Sequence, residues 1–303
     1  MKRKNFIQRL TIPLPELERY HCERRKERFS QGKRLKYIRA REAFYPAFRK
    51  FLTLDRIFRK QTVTIIGNYK KQKGQVIFAC THISQNDLEN IYKTLGRGCW
   101  WFVGDPCVLY KDISGLLLYL NGSILMETGD KDDRRIAYLR AVEVLRGGGS
   151  LMIYPEGARN TSENVPVWEL FRGTAKMAMA TNVKIVPIAI EQFEKRFVIN
   201  FGKELFPKDF ADNTSLTQRL REALATLKWE IWEREGLFAR NSLPDDYREQ
   251  YMQTFAHRLA PWDTLGSVER TRYHTKAEIE QKEVEAHLGR LIPCKENAFL
   301  LRK

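Results

Sequence analysis

The chain has no run of about 18 apolar residues, the minimum for a helix that crosses a bilayer. The nearest approach, Ile113 to Met126, is interrupted by Asn121-Gly122-Ser123, so no membrane-spanning segment is expected. No apolar stretch follows the basic N-terminus, which argues against a secretory leader. Paired cysteines are missing as well. Cys22, Cys80, Cys99, Cys107 and Cys294 are odd in number and show no paired spacing, which points to reduced thiols in a cytoplasmic setting. Cys80 and His82 lie close together, but no second ligand pair follows, so no metal site is expected. There is no internal repeat and no low-complexity tract. A hydrophobic fraction of 43% excludes a wholly disordered chain.

What is present is a charge imbalance confined to one end. The 303 residues carry 53 Lys and Arg against 37 Asp and Glu, a formal net charge of +16. Residues 1–60 hold 19 basic and 6 acidic side chains, or +13, which leaves +3 for the other 243 residues. The body is near neutral and the front is basic. Such a front suits an anionic partner, either nucleic acid or a membrane surface. From Tyr37 onward, aromatic and aliphatic residues (Phe44, Tyr45, Phe48, Phe51, Leu54, Ile57, Phe58) interleave with Arg49, Lys50, Arg56, Arg59 and Lys60. That spacing fits an amphipathic helix lying in a membrane interface. It equally fits a helix that packs its aromatic face on the body.

Residues 61–205 alternate strand and helix signals. Val63–Ile66, Val76–Ala79, Trp100–Val103, Ser123–Met126, Leu151–Tyr154, Lys184–Ile190 and Phe197–Phe201 read as strands. Asp87–Leu95, Asp130–Arg146 and Thr174–Ala180 read as helices. In the second, Ile136, Leu139, Val142 and Leu145 supply an apolar stripe and Gly147-Gly148-Gly149 a stop. The alternation predicts an α/β fold, an αβα sandwich around a mostly parallel mixed sheet, with helical N- and C-terminal extensions. The expected organisation is a basic arm over 1–60, a central domain over 61–236 that includes a helix at 215–236, and a charged helical extension over 237–303. Within that extension, 276–285 reads as a solvated helix.

Two constellations carry chemistry. His82 emerges from the end of the strand Val76–Ala79, with Asp87 five residues on. If His82 lies in the loop and Asp87 in the first turn of the next helix, the pair makes a base and its orienting carboxylate. Asp87 also fits a capping box with Ser84, a purely structural role. The second constellation, Tyr154-Pro155-Glu156-Gly157-Ala158-Arg159, follows the strand Leu151–Tyr154 directly. A tight turn there would project Glu156 and Arg159 from the end of the sheet where α/β folds bind ligands. Arg159 suits a phosphate or carboxylate, or an ordinary surface ion pair.

Together these blocks resemble the glycerolipid acyltransferases, specifically the 1-acylglycerol-3-phosphate acyltransferase family. His82 and Asp87 match its H-x4-D block, Gly122 to Thr128 its second block, Tyr154 to Asn160 its F-P-E-G-T-R-S block, and Val186 to Ile190 its V-P-V-A-I block. Phe171 to Lys176 is similar to the basic-Gly-Ala stretch between the last two. The resemblance covers roughly residues 60–205. It departs at Thr128, where the family has Arg, and at Tyr154, Ala158 and Asn160.

The resemblance implies transfer of a fatty acyl group from a thioester, acyl-CoA or acyl carrier protein as co-substrate, to the hydroxyl of lysophosphatidic acid or a related lysolipid. It implies His82 as general base, Asp87 as its orienter, and Glu156, Gly157 and Arg159 as substrate-binding residues. Arg134, Arg135 or Arg172 would replace the missing phosphate-binding Arg. No resident cofactor is implied. An enzyme acting on bilayer lipids makes the basic front a dock for an anionic membrane at the cytoplasmic face rather than a nucleic-acid tail. The alternatives are an acceptor without glycerol phosphate, or an inactive basic membrane-binding protein.

Overall fold

A computed structural model describes residues 11–259, apart from 68, 105, 107–109, 111–112 and 164. Three helices come first: α1 (Leu14–Ser30), α2 (Ile38–Glu42) and α3 (Tyr45–Phe58). The sheet region follows as β1 (Thr62–Ile66), β2 (Ile77–Cys80), α4 (Asp87–Thr94), β3 (Trp100–Gly104), α5 (Ile113–Asn121), β4 (Ser123–Met126) and α6 (Lys131–Arg146). It continues through β5 (Leu151–Ile153), α7 (Gly173–Thr181), β6 (Ile185–Phe193) and β7 (Arg196–Phe201), and two helices close it, α8 (Asn213–Glu235) and α9 (Tyr247–Ala256). The expected helix at 276–285 lies outside the described residues.

The strands form one 7-stranded sheet in the order β1-β7-β6-β2-β5-β3-β4. Every neighbouring pair is parallel except the β6–β7 hairpin. β2 lies at the centre and is buried on both faces, which is why Ile77-Phe78-Ala79-Cys80 reads as a continuous apolar run rather than an alternation. Ile77 and Ala79 point to the layer of α6, α7 and α8; Phe78 and Cys80 point to the layer of α3 and α4. This is the mixed, mostly parallel αβα sandwich that the sequence predicts.

Two local readings change. Ile113–Asn121 was not expected to be an element and is the helix α5. In α6 the fully buried line is Asp133, Ala137, Ala141, Val144 and Leu145, so the predicted stripe is rotated; Ile136 and Leu139 are half-buried. Small alanines face inward because this helix is pressed between the sheet and α1, where a close approach favours short side chains. Its start is as predicted: the Asp130 carboxylate accepts from Asp133 N at 2.9 Å.

The N-terminal helices are integrated into the body. Arg25 on α1 donates from Nε and Nη2 to buried Asp133 and from Nη1 to the Tyr110 hydroxyl at 2.6 Å. Lys26 pairs with Asp130 at 2.6 Å, and Arg24 with Glu27 at 2.9 Å. The Arg24-Arg25-Lys26 centre of the basic front is therefore neutralised by carboxylates and does not form a free anion-seeking arm. In α3, Tyr45, Phe48 and Leu52 are buried while Phe51, Leu54, Ile57 and Phe58 remain exposed. The packing reading and the exposed amphipathic reading each describe one face of this helix.

Helix α2 makes a crossing at the N-terminal ends of β3 and β5. Trp100 Nε1 donates to Ile38 O at 3.1 Å, and the Glu42 carboxylate receives the Ser150 N–H. Gly98 lies under this crossing, where a Cβ would come within 2.3 Å of Glu42 O. Burial pushes the Glu42 carboxyl up to about 7. Its folded pKa exceeds its unfolded one, so its protonated form favours folding below about pH 4.5, and that contribution is lost as pH rises through about 7. Glu42→Gln is expected to leave stability unchanged at pH 4 and to raise it by roughly 2 kcal/mol at pH 8. Urea unfolding at both pH values checks this, and equal effects at the two would contradict it.

Candidate active site

The C-terminal ends of the parallel strands open on one side of the sheet, and adjacent β2 and β5 lead directly into the two predicted constellations. His82 lies in the loop after β2, and Asp87 is the first residue of α4. The helix start thus falls between them, as the pairing required. His82 Nδ1 and Asp87 Oδ2 are 2.8 Å apart. The same oxygen accepts the backbone N–H groups of Ile83 at 2.6 Å and Ser84 at 2.8 Å.

The capping box is only half formed. Asp87 reaches back to Ser84 N, but the Ser84 hydroxyl accepts from Asn86 N at 3.3 Å instead of capping the helix. The helix begins one residue after Asn86, and this leaves Asp87 turned inward toward the loop. Asp87 is fully buried, and His82 retains 19% side-chain exposure. An oxygen that already accepts two amide protons is acceptor-only, so Nδ1 carries the imidazole proton and Nε2 is the basic nitrogen.

Tyr154, at the end of β5, stacks on His82 with ring centroids 4.1 Å apart and planes 14° from parallel. Its hydroxyl is buried and has no hydrogen-bond partner among the described residues. Burial pushes the phenol well above its ordinary range, and the neighbouring Asp87 adds to that shift. The sequence marks Tyr154 only as a replacement for the family Phe; its position as a floor beneath the imidazole depends on β2 and β5 being neighbours. The two loops are also joined directly, because Asn160 N donates to His82 O at 2.7 Å.

Glu156 does not project from its turn. It is 1% exposed, and its Oε2 accepts from Trp168 N at 2.8 Å and Asn160 Nδ2 at 3.2 Å. A carboxylate with two such donors nearby is better satisfied folded under the loop, where it ties residues 156–168 together. Gly157 has φ +74, and a Cβ there would lie 2.4 Å from the Phe171 ring, so the turn admits only glycine. Arg159 is half-buried beside this turn. Arg172 is exposed at the start of α7, next to the Phe171 N–H that donates to Pro155 O at 2.9 Å.

Arg134 and Arg135 lie at the far edge of the same end. Arg134 Nη1 donates to the carbonyl of Thr128, just past β4, and Arg135 is exposed. β4 is three strand positions from β2, a lateral distance on the order of 14 Å. Five of the predicted site residues therefore gather around β2 and β5, Arg172 adjoins them, and Arg134 and Arg135 lie apart beside β4. Among the described residues no group of His, Cys, Asp and Glu could hold a metal ion.

The acyltransferase family model matches residues 62–191. A 1-acyl-sn-glycerol-3-phosphate acyltransferase of Borreliella burgdorferi is 26% identical over 183 residues, covering 60% of this chain and 64% of the relative. An uncharacterized acyltransferase of Schizosaccharomyces pombe is 22% identical over 179 residues, 55% of this chain and 64% of that one. The chain thus spans less than two-thirds, 64%, of the length of these curated relatives. The crystal structure of the 1-acyl-sn-glycerophosphate acyltransferase of Thermotoga maritima superposes with a TM-score of 0.53 at 18% identity, over 67% of this chain and 86% of that one, a likeness of fold. Residues 62–191 thus match the acyltransferase family model, and the His82–Asp87 pair lies within the matched segment.

Proposed function

We propose that this protein transfers a fatty acyl group from a thioester donor, acyl-CoA or acyl carrier protein, to the free hydroxyl of lysophosphatidic acid or a closely related lysolipid. The observation that carries the reading is the 2.8 Å His82–Asp87 contact, which leaves Nε2 as the base at the open end of the sheet. Nε2 takes the proton of the acceptor hydroxyl as its oxygen attacks the thioester carbonyl carbon. The tetrahedral intermediate collapses with cleavage of the C–S bond, and the imidazolium returns the proton to the departing thiolate. Asp87 holds the tautomer and stabilises the imidazolium. Both substrates are bound together, so the route needs no acyl-enzyme.

Arg159 and Arg172 are the cations on the β5 side for an anionic head group, and Arg134 and Arg135 those beside β4. Glu156 and Gly157 act through loop shape. Thr128, in place of the family Arg, favours a second acceptor reading, a lysolipid without the glycerol phosphate. The Arg134 guanidinium bonded to the Thr128 carbonyl favours the phosphate-bearing one.

The enzyme would reach its substrate from the membrane surface. Among the described residues no helix is long and apolar enough to cross a bilayer. α3 exposes Leu54, Ile57 and Phe58 at 56%, 62% and 84%, and α5 exposes Leu116, Tyr119 and Leu120. Exposed Arg49, Lys50, Arg59 and Lys60 flank the α3 patch, and Arg59 also donates to Asn86 at the start of α4. An apolar patch rimmed by cations and joined to the catalytic helix suits insertion beside anionic head groups.

His82→Ala is expected to lower acyl transfer by about 10²–10⁴-fold while the protein remains folded, measured with labelled acyl-CoA and acyl carrier protein against a panel of lysolipids. Full activity in that variant would sink the assignment. Ile57→Glu with Phe58→Glu is expected to weaken binding to vesicles containing phosphatidic acid at least about tenfold. Vesicle flotation measures it, and unchanged binding would place the membrane contact elsewhere.

A further inference from the structure

A buried ionic knot ties the last residue of the family match, Glu191, to side chains from beyond it. Glu191, at the end of β6, is fully buried and receives Lys228 Nζ at 2.9 Å and Trp232 Nε1 at 2.9 Å from α8. Its other oxygen receives Arg258 Nη1 at 3.1 Å, and Arg258 Nη2 donates to Gln192 O at 2.8 Å. Arg258 is 2% exposed and Lys228 is 0% exposed. Two cations on one solvent-free carboxylate have few alternative arrangements, because any displacement strands a buried charge. The knot therefore fixes the chain just after α9 with little freedom.

That chain segment in turn touches the catalytic loop. Gln85, between His82 and Asp87, donates its backbone N–H to the Arg258 carbonyl at 3.0 Å. Seven residues earlier, on α9, the Tyr251 hydroxyl donates to Ser162 O at 3.1 Å. Ser162 N donates to Asn160 Oδ1 at 2.9 Å, and Asn160 N donates to His82 O. One C-terminal helix thus grips the loop after β2 and the loop after β5. β6 holds the same loop from its other side, because Ile190 N donates to Thr81 Oγ1 at 3.0 Å.

We infer that α9 is a clamp on the active site and that Arg258 is a positioning residue for acyl transfer, acting through Glu191 on one side and the Gln85 amide on the other. It makes no contact with substrate. Its effect is to hold the backbone from which His82 and Asp87 meet, where small displacements cost rate. This inference rests on the acyltransferase reading above.

The test compares Arg258→Met, Arg258→Lys and Tyr251→Phe with a core control, Leu220→Ala, in the full chain. Arg258→Met is expected to lower kcat about tenfold with KM for acyl-CoA within twofold, and to speed hydrogen exchange at the Gln85 amide. Arg258→Lys, which restores a cation to Glu191, is expected to recover most of kcat. Leu220→Ala is expected to lower Tm with kcat unchanged. Should Arg258→Met fail to fold, Tyr251→Phe is read instead, expected to lower kcat a few-fold without moving KM. Variants that lose Tm but keep wild-type kcat and slow Gln85 exchange would overturn the clamp. A wild-type protein that transfers no acyl group would overturn the acyltransferase reading instead, while the Gln85 exchange comparison would still report on the clamp.

Discussion

A carboxylate buried away from water is tolerated only where hydrogen-bond donors converge on it, and Asp87 meets this condition with three donors on a single oxygen. Two of these are backbone amides, so the loop between β2 and α4 must curl around Asp87 to satisfy it. That curl brings His82 over the Tyr154 ring. The same contacts thus settle the loop conformation and the imidazole tautomer. Without the carboxylate the amides of Ile83 and Ser84 would be left buried and unpaired, so the catalytic geometry and the stability of the loop are one problem.

Around this point the fold supplies rigidity in layers. β2 is central and apolar on both faces, so its end is held against motion in either direction. β5 contributes the stacked tyrosine and, through Asn160, a hydrogen bond to the His82 carbonyl. Glu156 and Gly157 shape the second loop from below: one as a buried hydrogen-bond acceptor, the other because a phenylalanine ring occupies the space of a side chain.

The charge asymmetry acquires a different meaning in the folded protein. Much of the basic excess near Arg24-Arg25-Lys26 is paired with Asp130 and Asp133, acidic residues that count toward the near-neutral body. Exposed cations remain at Lys33, Arg34, Lys36 and Arg39 and at the rim of α3, beside exposed Leu54, Ile57 and Phe58. The α3 rim is tied to the start of α4, where Arg59 donates to Asn86.

Element type and order were legible in the residues because they are set by local patterns: β-branched runs, an acidic first turn at Asp130, glycines after Arg146. His82, Asp87, Glu156, Gly157 and Arg159 were also legible, since their spacing places them at strand ends. Their roles were only partly so. Glu156 reads as a projecting ligand group and is a buried strut, because its partners, Trp168 N and Asn160, approach only when the loop folds back. Tyr154 as the floor of the imidazole, α5 as a helix, and Arg258 as a brace more than 170 positions from Gln85 left no local signature. Such contacts arise from strand order and long-range burial, in which residues far apart in the chain satisfy one another's charge. The linear sequence carries the chemistry and its approximate register, while the tertiary structure decides which groups are solvent-free, and burial determines what each of them can do.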